Sequence, residues 1–165
     1  MILQSLLCGQ DFSYDNFVQE IGLLLLQVVG VDYCEEAIQL SLRVAQQAGL
    51  EIPFETCDIL EDLGQTGCQA LRDSYDVVVD KGTFDAISLG EGALEDKRKY
   101  VRNMGRLLGP GGVFLITSCN WTAAELRAQF SSGFTVLATL PTPSFSFGGQ
   151  TGNTVTAVVF KKLAV

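Results

Sequence analysis

The 165-residue chain contains no histidine. That excludes Ser-His-Asp and Cys-His nucleophilic catalysis and removes the commonest zinc ligand. The five cysteines (Cys8, Cys34, Cys57, Cys68, Cys119) form no Cys-x-x-Cys pair. They read as free, reduced thiols of an intracellular protein, and no metal site is expected. Basic residues are scarce: 11 Lys and Arg face 19 Asp and Glu, for a net charge of −8. This balance disfavours a grip on phosphate backbones, so no nucleic-acid partner is expected. Long apolar runs are missing too. The four leucines at 23–26 fall far short of the roughly 20 residues that span a bilayer. The amino terminus shows neither the basic region nor the cleavage site of a secretory leader. A soluble monomer of the cytoplasm, with the nucleus as a second compartment, is the expectation. Finally, the G-x-G-x-x-G loop of dinucleotide-binding proteins is absent, which weighs against a nicotinamide-dependent oxidoreductase.

What is present is a set of apolar strands that end in carboxylates. Tyr75-Asp76-Val77-Val78-Val79 runs into Asp80-Lys81-Gly82, Val28-Val29-Gly30-Val31 ends at Asp32, and Phe54-Glu55-Thr56-Cys57 ends at Asp58. Open α/β sheets bind ligands at the carboxyl ends of their strands, so these positions point to one pocket. With 47% hydrophobic and 18% charged residues, the chain has enough apolar mass for one packed domain.

The spacing predicts alternating elements from residue 28 onward. A helix follows Asp32, with Glu35 and Glu36 in its first turn, Ile38, Leu42 and Ala45 on one face, and Gly49 as its stop. A second helix spans 94–108, with Tyr100, Val101, Met104, Leu107 and Leu108 facing the core; Gly109-Pro110-Gly111-Gly112 ends it and turns into a strand at 113–117. Thr122 and Glu125 have the spacing of a capping box for a short helix ending near Phe130. Two β-rich runs, 134–140 and 154–161, have no helix between them and read as an antiparallel hairpin. The fold class is therefore α/β: three layers, a mostly parallel sheet with an antiparallel carboxyl-terminal hairpin, closed by one antiparallel edge strand. Ile2-Leu3-Gln4-Ser5-Leu6-Leu7 is a possible further strand, and Asp15 a possible cap for a helix through Phe17, Val18, Ile21 and Leu25.

Several residues then stand out chemically. The two oxygens of a carboxylate at Asp32 match the adjacent hydroxyls of a ribose. An ordinary acidic residue at a helix start is the competing reading, and spacing does not separate the two. Asp58 suits an exocyclic amine with Ile59 packed on the ring, against a plain turn. Asp80 stands where an incoming amine can be oriented, with Lys81 able to pair with Asp80 or Asp85. Asn120 and Trp121 follow the next strand on the same rim, although a lone Trp often caps a core. Phe145 and Phe147, beside two glycines, suit a slot for an aliphatic side chain, against a packed loop.

At this point a family resemblance is carried by Gly30-Val31-Asp32-Tyr33 with Ala37-Ile38-Gln39-Leu40-Ser41, and by Asp80-Lys81-Gly82-Thr83-Phe84-Asp85-Ala86-Ile87-Ser88-Leu89. Phe114-Leu115-Ile116-Thr117-Ser118-Cys119-Asn120-Trp121-Thr122 and residues 140–149 extend it. The chain resembles the class I S-adenosylmethionine-dependent methyltransferases and, more narrowly, the elongation factor 1-alpha lysine methyltransferase family, over roughly 28–162. The resemblance implies S-adenosylmethionine as cofactor and a lysine of translation elongation factor 1-alpha as acceptor. It implies Asp32, Tyr33, Asp58 and Ile59 as cofactor-binding residues and Asp80 as catalytic. Asn120, Trp121, Phe145 and Phe147 are then substrate-binding. It further implies a methyltransferase body at 28–165 behind a divergent segment at 1–27, in which the family's D-x-G-x-G-x-G turn is missing and the first strand is absent or substituted. The alternative expectation is a catalytically inactive family member that acts only as a protein-binding module.

Overall fold

The computed structural model describes residues 2–4, 28–142, 144–147, 150–153 and 155–163. The helix expected behind Asp15 lies outside these residues. In chain order the elements are β1 (Ile2–Gln4), β2 (Gly30–Asp32), α1 (Glu35–Gln47), β3 (Phe54–Thr56), β4 (Tyr75–Lys81), α2 (Thr83–Ser88) and α3 (Ala93–Leu107). Then come β5 (Leu108–Ser118), α4 (Ala123–Phe130), β6 (Phe134–Leu140), β7 (Ser144–Phe147), β8 (Gln150–Asn153) and β9 (Thr156–Lys162).

Seven strands form one sheet in the order β3-β2-β1-β4-β5-β9-β6, and β7 pairs with β8 in a separate two-stranded ribbon. β1 fills the central slot, parallel to both neighbours, with Ile2 opposite Gly30 and Val79. The β2–β3 and β4–β5 pairs are parallel as well. The carboxyl ends of β2, β3, β4 and β5 therefore share one edge of the sheet. The mostly parallel sheet and the terminal hairpin agree with expectation, but the antiparallel strand is not at the edge. β9 is inserted between β5 and β6 and pairs antiparallel with both.

Strand alternation explains the core. Val78, Phe114, Ile116, Val158 and Phe160 are almost wholly buried on one face, whereas their neighbours Val77, Val113, Leu115 and Val159 are half-buried. The buried face joins Tyr100, Met104 and Leu107 of α3 and Leu126 and Phe130 of α4 in one cluster. Phe84, Phe114, Phe130 and Phe160 stack within it, at ring separations from 5.1 to 6.3 Å. Such tilted aromatic contacts each contribute on the order of 1 kcal/mol beyond burial.

α1 packs through Ala37, Ile38 and Ala45. Leu42, expected on that face, is 39% exposed. The helix ends where Gly49 takes a φ of 70°, in the left-handed region, and Leu50 N–H reaches back to the Ala45 carbonyl. The Gly-Pro-Gly-Gly run is not a separate turn. It belongs to β5, whose pairing with β4 shifts register between Tyr75 and Val77. Nor are all the cysteines free. Cys57 and Cys68 form a disulfide with their Cα atoms 5.9 Å apart, and Cys119 is disulfide-bonded as well, while Cys34 is a free thiol. Among the described residues no helix is long and apolar enough to cross a membrane.

Candidate active site

The shared sheet edge holds a cavity of about 270 Å³. That is near the lower end of the roughly 300–1,000 Å³ typical of small-molecule sites. Asp32, Tyr33, Asp58 and Ile59 all line it, so the four residues expected to hold an adenosyl group surround one space. Val31, Leu60, Ala86 and Ile87 make the rest of its wall mostly apolar.

Each polar group is set by local chemistry. Asp32 ends β2 and is 9% exposed. Burial raises its pKa, opposed by the backbone N–H groups of Cys34 and Tyr33. The Cys34 N–H donates to Oδ1 at 2.8 Å. Cys57 N–H donates to the Asp32 carbonyl at 2.8 Å, which locks the exits of β2 and β3 side by side. Asp58 is exposed, and its Oδ1 accepts the Leu60 N–H at 2.8 Å, an Asx turn that aims Ile59 into the cavity wall. Tyr33 lies at the mouth, 68% exposed.

Two further residues hold this wall and carried no sequence signal. Asn103, buried on α3, donates through Nδ2 to the carbonyls of Ile59 at 2.7 Å and Glu61 at 3.0 Å. Glu55 Oε2 accepts the Gln69 and Ala70 N–H groups and ties the crossover loop to β3.

Asp80 does not line the cavity. Its side chain is wholly buried, and the N–H groups of Thr83 and Phe84 and the Tyr100 hydroxyl all donate to it, at 2.8, 3.0 and 2.5 Å. The carboxylate holds the amino terminus of α2, which starts behind Gly82 at a φ of 85°. Burial pushes its pKa up to about 6, against the three hydrogen bonds. The expected direct contact with an incoming amine is therefore replaced by a positioning role: Asp80 fixes the helix that carries Thr83, Ala86 and Ile87 to the cavity.

Asp85 does the corresponding work on the rim. Its Oδ1 accepts the Ser118 hydroxyl at 2.5 Å and its Oδ2 the Cys119 N–H at 2.8 Å. Ser118 Oγ in turn accepts the N–H groups of Asn120 and Trp121. Asn120 is thus held exposed past β5. Trp121 is half-buried against Phe84 at 5.5 Å, with Lys97 Nζ 4.8 Å above its ring. Phe145 and Phe147 sit on β7, and their side chains lie outside the described residues.

The two carboxylates and the apolar wall are of the kind that can hold an adenosyl group. Comparison with known proteins points the same way. The methyltransferase-domain family matches residues 8–159, reaching into the segment expected to diverge. EEF1A lysine methyltransferase 2 of Homo sapiens is 46% identical over 138 residues, 82% of this chain and 56% of that protein. Protein-lysine N-methyltransferase EFM4 of Saccharomyces cerevisiae is 37% identical over 143 residues, 82% of this chain and 60% of that protein. The chain thus spans little more than half the length of these relatives. Among solved structures, the N-methyltransferase NodS of Bradyrhizobium japonicum in complex with S-adenosyl-L-homocysteine superposes with a TM-score of 0.63 at 16% identity, covering 88% of this chain and 71% of that one. The PH0226 protein of Pyrococcus horikoshii gives 0.66 at 14% identity, covering 92% and 77%. Strand order, cavity and sequence match agree, and the chain belongs to the methyltransferase-domain family.

Proposed function

We propose that this chain transfers a methyl group from S-adenosylmethionine to a lysine ε-amine of a protein, with translation elongation factor 1-alpha as the acceptor. The observation that carries the reading is the meeting of Asp32, Asp58 and Ile59 around one cavity, in a chain 46% identical to a human protein named for this activity.

When bound, S-adenosylmethionine supplies an electrophilic methyl on a sulfonium sulfur. Asp32 accepts hydrogen bonds from the ribose hydroxyls, and Asp58 from the adenine amine, while Ile59 covers the ring face. Asp80 and Gly82 fix α2, so that its inner face closes the opposite wall. Asp85 and Ser118 hold Asn120 and Trp121 at the rim beside the acceptor. Phe145 and Phe147 are assigned to the acceptor's aliphatic stem. The chain has mainly to align amine and methyl, since orientation alone supplies much of such an acceleration. The acceptor nitrogen must also be neutral, and an apolar rim lowers a lysine pKa by disfavouring the ammonium form.

Incubation with labelled S-adenosylmethionine and recombinant elongation factor 1-alpha tests the proposal. Label is expected on lysine and is lost in Asp32→Ala. Binding of S-adenosylhomocysteine without any transfer would instead favour the non-catalytic, protein-binding alternative.

A further inference from the structure

A second groove, of about 740 Å³, runs between α3 and α4 and past the ends of β6 and β9. Its charge is the reverse of the molecule's. The chain carries 11 Lys and Arg and a net charge of −8, yet Lys97, Arg98, Arg102, Arg106 and Lys162 all line this one groove, and among the described residues no Asp or Glu does. Arg98, Arg102 and Arg106 recur at four-residue intervals, one stripe of α3.

Intramolecular partners use this charge only in part. Arg98 lies 3.9 Å from Glu95 and Arg106 lies 3.4 Å from Asp62, both pairs at exposed positions where such contacts contribute little. Lys162 donates to the Leu108 carbonyl, and Lys97 lies over Trp121. Arg102 makes no salt bridge among the described residues.

The groove also has apolar anchoring points. Leu94 and Leu163, 65% and 42% exposed, line it beside the nearly buried Val101 and Phe134. Gly105 adds an independent observation. It sits inside α3, where glycine costs up to about 1 kcal/mol relative to alanine, yet a Cβ built on it meets nothing within 4 Å. Internal packing does not require a glycine there. A bare backbone at that point lets an external chain approach the helix closely.

We propose that this groove docks an acidic, leucine-bearing segment of a partner protein. Carboxylates of the segment would pair with the arginine stripe, and its apolar side chains would cover Leu94 and Leu163. A nucleic acid fits less well. The negative charge on the rest of the chain repels an extended polyanion, whereas a short segment is confined to the basic groove. Lys97 lines the groove and also lies over Trp121, so a docked partner would lie near the rim. The docking itself does not depend on methyl transfer.

The test is fluorescence polarisation of the chain with a short fluorescein-labelled peptide of Glu with interspersed Leu. Saturable binding is expected, weakening as salt is raised. The double substitution Arg98→Glu and Arg102→Glu should weaken it by on the order of tenfold or more, because like charges then meet. Arg43→Glu on α1 should leave it unchanged. Gly105→Ala should weaken binding while leaving the melting temperature unchanged or raised, a split that a purely structural role would not produce. The proposal is overturned by absence of saturable binding, by equal affinity of the double variant, or by equal binding of the same peptide with Lys for Glu. Tighter binding of a single-stranded RNA of matched charge would also overturn it. Binding of S-adenosylhomocysteine, followed in parallel, reports on the methyl-donor cavity separately from the groove.

Discussion

Asp80 illustrates how far a side chain's identity can mislead about its use. A carboxylate after an apolar strand suggested chemistry, but strand alternation turns this one inward, towards Tyr100. The direction of a side chain at a strand end depends on register, and register cannot be read from one strand alone. That Asp32, Asp58 and Ile59 face one cavity was legible because each stands at or just past a strand end on the shared edge. Asn103 was not, because nothing near it in sequence contacts its two carbonyl partners. Two predictions belong here. The Asp80 pKa is raised from 3.8 to about 6, so the folded state binds the extra proton between those values. Its contribution, on the order of 3 kcal/mol, is therefore fully present below pH 3.8 and is lost as pH rises through about 6. Urea unfolding at about pH 4.5 and about pH 7 should show about 2 kcal/mol of this term in the wild type and lose it in Asp80→Asn. That variant should also weaken S-adenosylhomocysteine binding, because α2 loses an acceptor at its first turn; unchanged affinity would contradict the positioning role. Asn103→Ala leaves the buried Ile59 carbonyl and the part-buried Glu61 carbonyl without this donor and should cost about 1–3 kcal/mol in stability, with a loss in calorimetric S-adenosylhomocysteine affinity.

Among the elements, helices with a clear apolar period were the most legible, α3 above all. The Thr122 and Glu125 capping box of α4 is formed in both directions, the Thr122 hydroxyl accepting the Glu125 N–H and the Glu125 carboxylate accepting the Thr122 N–H. Thr122→Ala should therefore lower stability by about 1 kcal/mol, measurable as a shift in the urea midpoint. α2 was missed. Its six residues are too few to establish a period, and its capping carboxylate comes from Asp80, before the Gly82 turn, where no standard cap position lies. Gly82 must adopt a left-handed φ, and Gly82→Ala should destabilise the fold by about 1–2 kcal/mol in thermal or urea unfolding. The β7–β8 ribbon was likewise hidden inside what looked like one hairpin connection. Its Ser, Phe, Gly and Thr pattern serves loop and strand equally well.

At the scale of the whole molecule, the α/β class and the parallel order followed from alternating strands and helices, whereas the insertion of β9 between β5 and β6 did not. Hairpin spacing sets which strands pair but not which of them faces the older sheet. β1, only three residues long, was named in the sequence only as a possible strand over 2–7. Yet among the described residues it is the one strand that stitches the β2–β3 pair to the rest of the sheet, and the cavity straddles that seam. Asp32 and Asp58 stand on one bank, and Thr83, Ala86 and Ile87 on the other. A nucleoside bridging both banks would act as a second clasp, so its arrival should slow deuterium uptake at the backbone of Leu3 and Gln4, the strand between them.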